Sequence, residues 1–85
     1  MTRDEIFTSI VTIIRQQLHQ KDIVITESTR LQEDLGIDSI ALMELIIKLE
    51  DTFQLTIPDE AVDQMTSMGE LLDYIANQLH KTTKA

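Results

Sequence analysis

Asp34-Leu35-Gly36-Ile37-Asp38-Ser39-Ile40 closes a stretch without periodicity and opens one with two apolar faces. Glycine lets the backbone turn, and Asp38 and Ser39 belong to the residue types that start helices by accepting a bond from an unpaired backbone N–H. The stretch therefore predicts a helix that starts at Asp38-Ser39 and runs to about Phe53, with Ser39 at its mouth facing solvent.

On a helical wheel, Leu42, Leu45, Ile46, Leu49 and Phe53 fall within about one third of the circumference. They form the stripe that meets the core. Ile40, Met43 and Ile47 gather on a face well away from it, rimmed by Glu44, Glu50 and Asp51. Two explanations compete for this second strip: another helix of the bundle covers it, or a partner docks on it.

Working back from Asp38, residues 20–38 lack periodicity and carry Ile23, Ile25, Leu31, Leu35 and Ile37 among polar residues, the pattern of a long loop pinned to a core. Loops of this length in compact domains are usually functional. Upstream, Thr2-x-x-Glu5 has the form of a capping box. Ile6, Phe7, Ile10, Val11, Ile13, Ile14 and Leu18 follow at helical spacing. β-Branched residues abound there, and propensity alone also allows a strand over Ile10 to Ile14; length and periodicity favour the helix.

Working forward, Pro58 disfavours helical backbone at Ile57, and Asp59 to Met65 fits a short third helix. Ser67-x-x-Glu70 is a second capping box, followed by Met68, Leu71, Leu72, Ile75 and Leu79 at helical spacing. The expected fold is all-α, a small four-helix bundle of three longer helices and one short one, with a long loop between helices 1 and 2. Residues 1–80 form its single domain and 81–85 a frayed tail.

The 85 residues suit one core and one binding surface rather than a deep catalytic cleft. Absence of cysteine excludes disulfides, thiolate metal sites and a built-in sulfur nucleophile. No apolar run approaches the roughly 20 residues that span a bilayer, so a soluble, cytoplasmic protein with no membrane insertion is expected. The net charge of −8 lies wholly between Glu33 and Asp63, where nine acidic residues face one base, Lys48. Such a field argues against binding nucleic acid phosphates or an anionic membrane surface through charge.

Other readings of the serine are weaker. A hydrolase would need the second glycine of a nucleophile elbow, which Gly36-Ile37-Asp38-Ser39-Ile40 lacks, and a larger fold. A calcium loop around Asp34 and Asp38 lacks the central glycine and the required acidic ligands. No catalytic residue and no metal ligand is assigned, and His19 and His80 read as solvated surface residues.

Taken together, Asp34-Leu35-Gly36-Ile37-Asp38-Ser39-Ile40, the acidic helix from Glu44 to Phe53 and Ile57-Pro58-Asp59-Glu60 resemble the acyl carrier protein family over nearly the whole chain. The resemblance implies that Ser39 receives 4′-phosphopantetheine from coenzyme A, through a phosphopantetheinyl transferase that uses magnesium, with Asp38 in support. The group's thiol then holds acyl chains as thioesters for fatty acid synthesis or a related specialised acyl or polyketide pathway. It implies that Ile40, Met43, Glu44, Ile47, Glu50 and Asp51 dock on basic patches of acyl-transferring and condensing enzymes, the carrier itself being a monomer. It further makes Leu45, Ile46, Leu49, Ile57, Val62, Leu71 and Ile75 candidates to line an acyl pocket, beside the plainer reading that they pack as core. Two departures stand out from carriers of primary fatty acid synthesis: Ala41 where an acidic residue is common, and Lys48 on the acidic face. The alternatives are a peptidyl or aminoacyl carrier, which usually has His where this chain has Asp38, and an unmodified acidic helical adaptor.

Overall fold

The computed structural model describes residues 2–83. Four helices follow in order: α1 (Arg3–Leu18), α2 (Ser39–Phe53), α3 (Asp59–Gln64) and α4 (Met68–Thr83). Among the described residues there is no β-strand, only an isolated bridge between Arg30 and Ser67. The all-α bundle and its long first loop are thus as the periodicity predicts.

Helix α1 starts on the expected capping box: Thr2 Oγ1 accepts from the Glu5 N–H while Glu5 Oε1 accepts from the Thr2 N–H. These reciprocal bonds satisfy donors that the first turn leaves open and hold the Glu5 carboxyl below the usual carboxylate range, the Thr2 backbone bond contributing most. Ile6, Ile10, Val11 and Ile14 are buried, and Phe7, Ile13 and Leu18 pack at the edge of the core. Burial of one face overrides the weak helix propensity of the β-branched run.

The core joins α1 to α2 and α4. Leu45, Leu49, Met68, Leu71, Leu72 and Ile75 are fully inaccessible, and no polar or charged residue is buried with them among the described residues. Helix α3 ends one residue short of its expected boundary and contributes Val62.

Residues 20–38 are held as a packed surface loop. Ile25, Leu31, Leu35 and Ile37 are buried and Ile23 is half-buried. Backbone bonds also stitch the loop to the start of α4: Leu31 N–H donates to Thr66 O at 3.0 Å, Met68 N–H to Thr29 O at 2.9 Å and Gly69 N–H to Glu27 O at 2.8 Å. The last two satisfy first-turn donors of α4 that no helical carbonyl reaches. A side chain at Gly69 would put its Cβ 3.1 Å from Glu27 O, so glycine permits the approach. The Arg3 guanidinium bridges the same region, pairing with Glu27 of the loop and Asp73 of α4.

Two local expectations need correction. The second capping box is only half formed: Ser67 Oγ accepts the Glu70 N–H at 3.4 Å, but the Glu70 carboxylate accepts from the Thr66 N–H at 3.2 Å and the Thr66 hydroxyl at 2.7 Å rather than from the Ser67 N–H. The tail drawn at 81–85 is also too long. Helix α4 runs to Thr83, since once nucleated a helix gains one bond per added residue without needing apolar contact. Residues 84 and 85 lie outside the described residues.

Candidate functional site

The loop's last turn aims the serine. Leu35 and Ile37 are buried on either side of an exposed Gly36 whose φ of 68° lies in the left-handed region. A residue with a Cβ is strained there, so glycine allows the chain to reverse between two anchors and emerge at Asp38. Asp34, expected only as part of the acidic field, fixes this turn through Oδ2, which accepts the Arg30 N–H at 2.8 Å.

Asp38 is the N-cap of α2 in extended backbone conformation, and its Oδ1 accepts the Ala41 N–H at 2.8 Å. Of Asp38 and Ser39, both helix-starting residue types, the geometry gives the cap to Asp38. With Asp38 so occupied, Ser39 stands as the first residue of α2, exposed, and its hydroxyl has no hydrogen-bond partner among the described residues. A primary hydroxyl free of competing bonds at the open end of a rigid helix fits covalent attachment of a large flexible group.

Behind the serine, the Gln17 carboxamide of α1 donates to Ala41 O at 2.7 Å and braces the first turn of α2. No periodicity singled out Gln17, since it lies at the edge of the α1 apolar face.

The two faces of α2 separate as the wheel predicts. Leu42, Leu45, Ile46, Leu49 and Phe53 are buried, whereas Ile40 is 73% exposed, Met43 45% and Ile47 59%. No element of the described chain covers the second strip. Its acidic rim is not uniform. Glu44 and Asp51 are exposed, their carboxylates unpaired among the described residues, but Glu50 is half-buried and its Oε2 accepts the Ile57 N–H at 2.8 Å. Glu50 thereby ties the end of α2 to the segment before α3.

The seven acyl-pocket candidates do not line an opening together. Leu45, Ile46, Leu49, Ile57, Val62, Leu71 and Ile75 range from fully inaccessible to 8% exposed and pack as core. A cavity of about 240 Å³ lies between the loop, α2 and α3, with Leu42, Val62 and Met65 as apolar lining and Arg30, Gln32, Glu33, Asp63 and Thr66 around them. Only Val62 is common to both sets. Leu42, three residues beyond Ser39, was classed with the core; Met65 sits after α3, where no periodic signal exists.

Among the described residues, no three or more His, Cys, Asp or Glu are placed to hold a metal ion. No described helix is long and apolar enough to cross a membrane. His19 is exposed, its left-handed backbone capping α1, and His80 is exposed on α4.

Residues 8–75 match the profile of the phosphopantetheine attachment site family, a span that contains the whole loop, Ser39 and the strip. The chain belongs to the acyl carrier protein family. It is 33% identical over 79 residues to an acyl carrier protein of Exiguobacterium sibiricum, covering 93% of this chain and all of the relative. It is 39% identical over 75 residues to one of Lactobacillus johnsonii, covering 88% of this chain and 94% of the relative. The crystal structure of an acyl carrier protein of Thermotoga maritima superposes with a TM-score of 0.82 at 26% identity, over 94% of this chain and 93% of that one. As a member of this family the protein is a carrier rather than an enzyme, and its cofactor is 4′-phosphopantetheine. Modification by a phosphopantetheinyl transferase and exchange with acyl-handling enzymes come with that membership.

Proposed function

We propose that Ser39 is the attachment residue and that the α2 strip delivers the acyl group to enzymes of fatty acid synthesis or a related specialised acyl or polyketide pathway. The observation that carries this reading is the Ser39 hydroxyl, exposed and free of internal hydrogen bonds on a helix start that Asp38 caps. When attached, the group supplies a thiol that holds acyl chains as thioesters. The chain's own residues do the rest: Asp38, Gly36 and Gln17 orient the first turn of α2, and Ile40, Met43 and Ile47 offer partners an apolar contact. Glu44 and Asp51 at its rim suit basic patches on partner enzymes, including the transferase. Exposed charge pairs contribute only about 0–1 kcal/mol each, so they orient and speed encounters more than they prolong them. That suits a monomeric cytoplasmic carrier which must leave each enzyme again.

The cavity bounded by Leu42, Val62 and Met65 is the place where an acyl chain folds back, Val62 being the one earlier candidate already at its wall. The remaining candidates, Leu45, Ile46, Leu49, Ile57, Leu71 and Ile75, extend that space only if the core opens.

Intact mass after incubation with coenzyme A, magnesium and a broad-specificity transferase tests the attachment site. Wild-type protein gains one phosphopantetheine and Ser39→Ala gains none while keeping its helical circular dichroism. A Ser39→Ala protein that is still modified, or a wild type that stays unmodified beside a control carrier that reacts, removes Ser39 from this role.

A further inference from the structure

Three methionines lie within the described residues, and they are not equivalent. Met65 and Met68 are 6% and 0% exposed in the core, whereas Met43 is 45% exposed in the middle of the outer strip. Met43 lies three residues from Ile40 and four from Ile47 and Ser39, spacings at which side chains on a helix are neighbours. A thioether there is a soft, adaptable apolar contact for a partner. Its sulfoxide is polar and disrupts such a contact.

We propose that Met43 is a redox modification site at which a peroxide-class oxidant turns the docking strip off. This rests on the reading of the strip as a docking surface. In the step, the Met43 sulfur displaces one oxygen of the peroxide: the O–O bond breaks, an S–O bond forms, sulfur loses two electrons and the peroxide is reduced to water or alcohol. A thiol-dependent sulfoxide reductase reverses it, two thiols becoming a disulfide and the oxygen leaving as water. Met68 stays reduced because the packed core keeps the oxidant away, and Met65, only 6% exposed at the cavity wall, reacts later than Met43. On the loaded carrier the arm's thiol competes for the oxidant, so the step is measured on protein whose Ser39 is unmodified.

The experiment treats that protein with hydrogen peroxide, maps oxygen incorporation by peptide mass, and measures transferase kinetics with coenzyme A. Met43 gains one oxygen well before Met65 or Met68, and the KM for the carrier rises about tenfold, the scale of losing one buried apolar side chain. Reductase treatment returns KM to its starting value, and peroxide leaves the KM of Met43→Leu where that variant began. Equal oxidation of Met65 or Met68 overturns the inference, as does a KM that Met43 oxidation leaves unchanged. Met43→Gln, measured without oxidant, separates the two levels. If it raises KM while oxidation does not, only the redox inference fails. If it too leaves KM unchanged, the docking reading of Met43 fails.

Discussion

The inner and outer faces of α2 are both apolar and lie on the same fifteen-residue helix, yet one is sealed and the other bare. Leu45 and Leu49 are fully inaccessible, while Ile40 and Ile47 expose more than half of their surface. Residue type does not distinguish them, since isoleucine occurs on both. Width and continuity do: the inner face offers five large side chains over about three turns, enough to organise a core with α1 and α4, and the outer face offers three. An apolar strip too narrow to recruit another helix, but rimmed by Glu44 and Asp51, is suited to transient contact.

The sharpest way to break this comparison is to truncate one residue on each face. Leu49→Ala leaves a cavity where nothing else reaches and lowers unfolding free energy by about 2–5 kcal/mol, read from the urea midpoint. A loss below about 1 kcal/mol would mean that the inner face is not what holds α2. Ile47→Ser does the opposite: stability stays within about 0.5 kcal/mol of wild type, while affinity for a basic partner enzyme falls roughly tenfold or more, measured by titration calorimetry. Loss of stability without loss of affinity would reverse the roles of the two faces.

The acidic rim sharpens it further. Glu50→Ala strands the Ile57 N–H and costs about 1 kcal/mol, whereas Glu44→Ala and Asp51→Ala change stability by less than about 0.5 kcal/mol. Equal effects from all three would mean that Glu50 is as free as its neighbours.

The smallest expected effect lies at the α4 start, away from both faces. Hydrogen bonds, first from the Thr66 hydroxyl and then from its N–H, hold the exposed Glu70 carboxyl below its ordinary value of 4.5. A folded value below the unfolded one means that ionised Glu70 contributes stability above the unfolded value, and that this contribution is lost as pH falls through the folded one. Wild type therefore melts slightly above Glu70→Gln at neutral pH, and the gap closes on acidification. A gap that widens with acid contradicts the sign.

Much of the site was legible because its signals are local. Gly36, Asp38 and Ser39 each act through their own or an adjacent turn, and the two α2 faces are angular facts about one helix. That Glu50 also holds the Ile57 N–H was not legible, because this partner lies seven residues away across a chain reversal. Gln17 went unseen for the same reason: its bond to Ala41 spans 24 residues. Which of the apolar candidates pack as core and which stand beside a void was not legible, because apolarity is common to both.

By itself the sequence determined the helices, their starts and the presence of a second apolar strip around an accessible serine, since periodicity and capping chemistry act within a few residues. Only the tertiary structure decided that the strip stays uncovered, that the loop closes the start of α4, and which acids remain available. Those outcomes depend on what distant segments bring to the same place, and no local pattern encodes that.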